Sequence, residues 1–160
     1  MKSRLVKQLY LYCFFVLCSS TSFADTQTKL SAGQTIYVPI YSNVFSGPKG
    51  LPFNLSAILS IRNIDLYNSI TITSVEYYDN AGKLLRKYTE NPLVLRPLAS
   101  NHIIIKESDG AGGFGANFIV RWKSVKEINA PIVETVMIGV RSGQGISFVS
   151  QGQVIKEDTK

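Results

Sequence analysis

From residue 33 onward, apolar side chains recur at every second position in short runs, separated by clusters of Gly, Pro, Asn and Asp. A period of two places successive side chains on opposite faces of an extended chain, whereas a helix repeats every 3.6 residues, so these runs fit half-buried strands. Residues 55–62 set Leu55, Ala57, Leu59 and Ile61 on one face. Residues 118–123 set Phe118, Val120 and Trp122 inward, with Ile119, Arg121 and Lys123 opposite. Further strands are predicted at 35–41, 69–78, 83–89, 93–95, 102–107 and 131–141, and 146–149 with 153–155 reads as a closing hairpin. Seven main strands at this spacing predict an all-β chain: a single immunoglobulin-like antiparallel β-sandwich with a C-terminal hairpin, a barrel being the alternative.

Local signals refine that outline. Pro39 lacks the N–H of a central ladder, which assigns its strand to an edge or a bulge. Residues 42–52 are rich in Gly and Pro and read as a loop. Asp79, Asn80, Ala81 and Gly82 favour a tight turn, making 69–78 and 83–89 a hairpin. Apolar parity changes between Ile72 and Val75, which predicts a bulge near Ser74. Along 131–141, Ile132, Val136, Ile138 and Val140 share one face with Glu134 and are read as core. A carboxylate there needs a partner or a wet strand end, and Arg62, Arg121 and Arg141 are the candidate partners.

The first 24 residues are of another kind. Lys2, Arg4 and Lys7 precede an apolar run at 9–18, and Ser22 and Ala24 occupy the positions a signal peptidase reads. The expectation is a cleaved signal peptide at 1–24, a domain at 25–160 ordered over about 33–155, loose ends at 25–32 and 156–160, and a periplasmic or secreted product. The apolar run falls short of the roughly 20 residues a bilayer span requires, and no later segment approaches that length. Cys18 as an acylated first residue fits poorly behind Leu17, so lipid anchoring is not expected. Without the leader the formal charge falls from +6 to +3, 14 basic against 11 acidic residues. The remaining Lys and Arg are dispersed, which disfavours nucleic acid as a partner.

Both cysteines, Cys13 and Cys18, lie in the leader, so the exported domain is left without a disulfide and must be held by packing. His102 and Met137 are then its only imidazole and thioether, an inventory from which no ordinary metal or haem site, and no cofactor, is expected. Gly110, Gly112 and Gly115 match a dinucleotide-binding spacing, but a strand follows where that chemistry needs a helix N-terminus. The same loop could instead offer backbone N–H groups to an anion, with Glu107, Asp109 and Asn117 at its rim, although two acids there oppose anion binding. His102 beside Ser100, Ser108 and Asp109 lacks a nucleophile motif, and no catalytic residue is assigned. Tyr41, Tyr77 and Tyr78 belong to a tyrosine-rich early region whose exposed members would suit a sugar ring or a partner chain.

Segments 33–42, 59–63, 74–79, 97–100, 113–118, 131–139 and 144–148 occur in an order that resembles the bacterial domain of unknown function 3124 family. The resemblance covers nearly all of the chain after the leader and implies an exported bacterial protein; it carries no catalytic residue. The expected function is therefore a non-enzymatic binding or assembly module for a protein or cell-envelope partner, through a sheet edge or the loop around Phe114. A carbohydrate-binding module is the second reading, and a hydrolase using Glu134 or Glu107 the third.

Overall fold

The computed structural model describes residues 30–158, and the leader at 1–24 with Cys18 lies outside the described residues. Those residues form twelve strands and no helix. The strands are β1 (Leu30–Pro39), β2 (Asn43–Ser46), β3 (Leu51–Asn54), β4 (Ser56–Arg62), β5 (Ile70–Tyr78), β6 (Leu84–Lys87), β7 (Leu93–Leu95), β8 (Ser100–Ile105), β9 (Asn117–Asn129), β10 (Ile132–Arg141), β11 (Gln144–Gln151) and β12 (Gln153–Glu157). One sheet has the order β12-β1-β9-β5-β6, with β7 also on β5; the second has the order β11-β10-β4-β8; β2 and β3 form a separate ribbon. Every pairing is antiparallel. The all-β sandwich expected from the alternation is the fold.

The two sheets share one core. Ile36 and Val38 of β1, Ile72, Val75 and Tyr77 of β5 and Phe118, Val120 and Trp122 of β9 face Ala57, Leu59 and Ile61 of β4 and Val133 and Met137 of β10. Fully burying an aliphatic or aromatic side chain of this kind contributes about 1.5–3 kcal/mol, and the described residues contain no cysteine to add a cross-link. The hairpin at Asp79 forms as expected, with Asp79 Oδ1 accepting the Ala81 and Lys83 amides at 2.9 and 2.8 Å. The bulge falls between Ile72 and Ser74 against β9, which brings Val75 and Tyr77 onto the core side.

Several local expectations are corrected. The core face of β10 is Val133, Thr135, Met137 and Gly139, and the face carrying Ile132, Glu134, Val136, Ile138 and Val140 looks outward. Both faces are largely apolar, so alternation alone could not choose between them. Pro39 does not mark an edge strand: β1 lies between β12 and β9, but β12 stops at Tyr37, so no ladder partner needs a Pro39 N–H. Within 42–52 the chain forms β2 and the start of β3, joined by a turn in which the Gly50 amide donates to the Gly47 carbonyl at 3.0 Å.

The C-terminal hairpin is replaced by a corner. β11 pairs with β10 in one sheet and β12 with β1 in the other. Gly152 is the hinge of that crossing: its N–H donates to the Val133 carbonyl at 2.8 Å, and the next residue pairs with Tyr37. A Cβ at Gly152 would stand 2.7 Å from Ile36 Cγ2 and 2.8 Å from the Val133 oxygen, so only glycine lets the strand pass. Of the ends expected to be loose, the described parts take part in the ladders, Leu30 pairing with Asn129 and Lys156 with Thr35. Glu157 accepts hydrogen bonds from Ser31 Oγ at 2.8 Å and Gln34 Nε2 at 3.0 Å, while Gln34 Oε1 accepts from the buried Trp122 indole at 3.2 Å.

At the end of the sandwich where both described termini lie, Asp65 organises the loop between β4 and β5. Its Oδ1 accepts the Tyr67 and Asn68 amides at 2.9 and 2.8 Å and the Asn68 side chain, and its Oδ2 accepts from Asn129 across the loop. Led by the Tyr67 amide, these donors hold the carboxyl at about 2, below its ordinary 3.8. A lowered folded-state value gives stability that is fully present above the unfolded value and lost as pH falls toward 2. Asp65→Asn is expected to lower the urea midpoint at pH 7, with the deficit shrinking below pH 3.8 and closing near pH 2. An equal deficit at both pH values would mean that shape, rather than charge, is what the site uses.

Candidate functional site

Opposite that end, residues 106–116 join β8 to β9, and backbone hydrogen bonds pin them to two other parts of the chain. The Gly113 carbonyl accepts the Ser42 amide, the Gly112 carbonyl accepts the Asn80 amide and the Ala116 carbonyl accepts the Ile40 amide, each at 3.1 Å. Gly112 is buried against the Tyr77 ring, and a Cβ there would collide with the Tyr77 hydroxyl and its ring carbon. That hydroxyl is bonded to Ser42 Oγ at 3.2 Å, and burial raises its pKa above the ordinary tyrosine value. Gly112 thus serves close packing, and its backbone bonds make the loop a fixed shelf.

On this shelf stands an aromatic cluster. Phe114 meets Tyr41 edge-on at 5.2 Å between centroids and 71°, Tyr41 meets Phe148 of β11 at 5.6 Å and 65°, and Phe45 of β2 lies 6.0 Å from Phe114. Phe114 and Phe45 remain 51% and 60% exposed. Edge-to-face packing suits aromatic quadrupoles and holds the rings in place. Here sequence reasoning named Tyr41 and Phe114 but missed Phe45 and Phe148. A phenylalanine inside the Gly- and Pro-rich stretch 42–52 was the available signal for Phe45; nothing local to Phe148 shows that it reaches Tyr41.

Three of the loop's amides are spent internally. Asp109 N donates to the Lys106 carbonyl, Ala111 N to Asp109 Oδ1 and Gly113 N to the Gly110 carbonyl. Asp109 is also paired with Arg86 at 3.3 Å, and Arg86 donates to the Tyr88 hydroxyl at 2.7 Å. Those three amides are therefore engaged and not free to cradle an anion. Glu107 is exposed beside Arg141 at a shallow cavity that Pro52, Asn54 and Val140 also line, and Asn117 opens β9, paired with Pro39 and Tyr78. On the other side of the β2–β3 ribbon a groove of about 580 Å³ is lined by Leu51, Phe53, Arg141, Gln144 and Ile146.

The named tyrosines do not share a surface. Tyr77 is fully buried and cannot touch a ligand, which corrects its place among the binding residues. Tyr78 lies on the outer face of the first sheet, donating to Glu76 at 2.9 Å, so its pKa is raised. Arg121 binds the same carboxylate at 2.9 Å and lowers the Glu76 pKa. Glu134 pairs with Arg62 at 3.5 Å on the outer face of the second sheet, leaving Arg121 with Glu76 and Arg141 near the Pro52 carbonyl at 3.4 Å. Glu134 therefore stands near the terminal end, far along β10 from Glu107, and the two acids share no site. His102 lies at the rim of a cavity of about 370 Å³ floored by Ile61, Ile72, Val75 and Ile103 where the two sheets part. Asp109 is engaged with Arg86 instead of orienting that imidazole. Among the described residues no three His, Cys, Asp or Glu side chains gather as metal ligands.

Two substitutions test this layout. Gly112→Ala is expected to lower unfolding free energy by about 1–3 kcal/mol through overpacking against Tyr77, measured by urea denaturation. Glu134→Gln removes an ion pair whose arginine is 56% exposed, and a loss below about 1 kcal/mol is expected. A larger loss would show that the pair has a burial the fold does not give it.

No curated protein matches the chain. The crystal structure of Thermotoga maritima 1070 superposes with a TM-score of 0.48 at 11% identity, covering 78% of this chain and 97% of that one. Among the described residues no helix is long and apolar enough to cross a membrane. A family model described as protein of unknown function (DUF3124) matches residues 33–155, which spans both sheets and the aromatic shelf, and the chain belongs to that family.

Proposed function

We propose that the domain is an exported, non-enzymatic binding module that recognises a protein partner of the cell envelope through the cluster of Phe114, Phe45 and Tyr41. The observation that carries the reading is the exposure of two phenylalanine rings on a shelf that cannot fold them away. Phe114 is backed by Tyr41, Tyr41 by Phe148, and the backbone beneath is bonded to Ser42 and Asn80. Large aromatics held in one conformation lose little freedom on binding and dominate the energetics of protein interfaces. The leader at 1–24 supports delivery to the periplasm or the medium. A sugar platform is less well supported, because the rings meet edge-on and no second tyrosine lies flat beside Tyr41.

Native mass spectrometry of protein purified gently from its own host's envelope fraction tests the reading. The expected result is a copurifying chain that is lost, with affinity reduced at least about tenfold, in Phe114→Ala and Phe45→Ala, both of which should fold normally because the rings are surface groups. Retention of the partner by both variants would place the contact elsewhere. A bare monomer together with a small bound mass would move the function to a ligand.

A further inference from the structure

The two outer faces of the sandwich differ in kind. That of the first sheet carries Thr71, Ser74, Glu76, Arg121 and Lys123, with Glu76 in ion pairs to Arg121 and Lys87. That of the second mixes polar residues with a band of aliphatic ones. Register puts Val149, Val136, Ile58 and Ile104 side by side across β11, β10, β4 and β8, a row crossing the whole sheet. Ile132, Ile138 and Val140 extend it along β10, and Ile104, Val149 and Val140 are 55%, 54% and 67% exposed. Its β10 residues are those whose alternation reads as core in the sequence, yet none of the described residues covers them.

We propose that a second copy of this chain covers it, face to face, about a twofold axis lying parallel to the strands between β10 and β4. That axis returns every row of the sheet to itself; two rows are uniform in kind, while in the flanking rows Ile132 lies over Arg62 and Ile138 over Ser56. Such an axis lays β10 on the other copy's β4 and β11 on its β8, so the apolar row meets itself, Val136 over Ile58 and Val149 over Ile104. The neighbouring row of Gln151, Glu134, Ser60 and His102 likewise meets itself, polar on polar. Glu134 and Arg62 form the one acid–base pair described on this face, so it offers no net charge to repel its twin. Self-complementarity of this kind is what an isologous interface requires. The strands have eight, ten, seven and six residues, a mean length of about 26 Å across a width of about 19 Å, so the outline is about 500 Å², which side-chain relief brings toward the roughly 800 Å² per partner of a stable interface. Sheets packed in this way stand about 10 Å apart with interdigitated side chains, the spacing already used inside the sandwich.

Sedimentation velocity on the full chain, purified as its host processes it, tests the proposal. Wild type is expected to be dimeric at micromolar concentration. Ile104→Lys and Val149→Glu, both at exposed positions that leave the core untouched, should each raise the dissociation constant at least about 30-fold. Combined in one chain they should restore the dimer, because the twofold sets residue 149 of each copy against residue 104 of the other, while within one chain the two lie at opposite sides of the sheet. Circular dichroism of each variant verifies folding. A monomeric wild type, a dimer indifferent to both single substitutions, or a double variant as weak as the singles would overturn the arrangement; a different host protein protecting this face from exchange would do the same. The phenylalanine variants of the loop end leave this equilibrium unchanged, so the two surfaces fail or stand separately.

Discussion

Everything in this structure hangs on the ladder between β1 and β9. Nine registered pairs join Leu30–Pro39 to Asn117–Asn129, and from its two flanks extend β12 and β5. Its inward residues, Ile36, Val38, Phe118, Val120 and Trp122, are the thickest part of the core. Because no disulfide is available within the described residues, that ladder and the second sheet packed on it supply the closure that many exported sandwiches obtain covalently. The hydrogen-bond chain from the Trp122 indole through Gln34 to Glu157 lets polar groups enter this layer without a desolvation penalty, and it fastens the last strand to the first.

From the same ladder follow the two ends. Where β1 finishes at Pro39 and β9 begins at Asn117, the shelf of 106–116 is bonded between Ser42 and Asn80, so exposed rings there are presented on a rigid support. Where β1 begins at Leu30, Asp65 and Asn63 order the β4–β5 loop, Asn63 Nδ2 donating to the Asn68, Leu95 and Arg96 carbonyls. The loops at both ends are therefore set by side-chain and backbone hydrogen bonds to distant segments, which local composition does not reveal.

How far the sequence could be read depended on how many solutions a pattern allows. In Leu55 to Ile61 and Phe118 to Trp122 the alternate positions hold one apolar residue each, Ile58 and Ile119, so the richer face of each was legible as the inward one. The turn at Asp79 and the bulge before Val75 carry their own chemistry, in an Asx acceptor and a change of parity, and both were legible. β10 was not: Ile132, Val136 and Ile138 on one face compete with Val133 and Met137 on the other, and only the position of the first sheet decides which is inside. Of the candidate site, Phe114 and Tyr41 were legible as aromatics outside core periodicity. Phe45 and Phe148 join them only because the β2–β3 ribbon and β11 return to the same end, and Tyr77 leaves the set because Gly112 closes over it.

By itself the sequence determined the class of structure and the positions of most strands, since period-two alternation and turn chemistry act over a few residues and need no partner. It also settled that residues 25–160 hold no disulfide among themselves, because the cysteines are Cys13 and Cys18. Strand order, the corner at Gly152 that carries the chain from one sheet to the other, and the aliphatic row left facing outward were decided by tertiary structure alone. Those features depend on which of several apolar faces meet, and that choice is made by burying the largest common surface, a quantity that belongs to the assembled chain and to no segment of it.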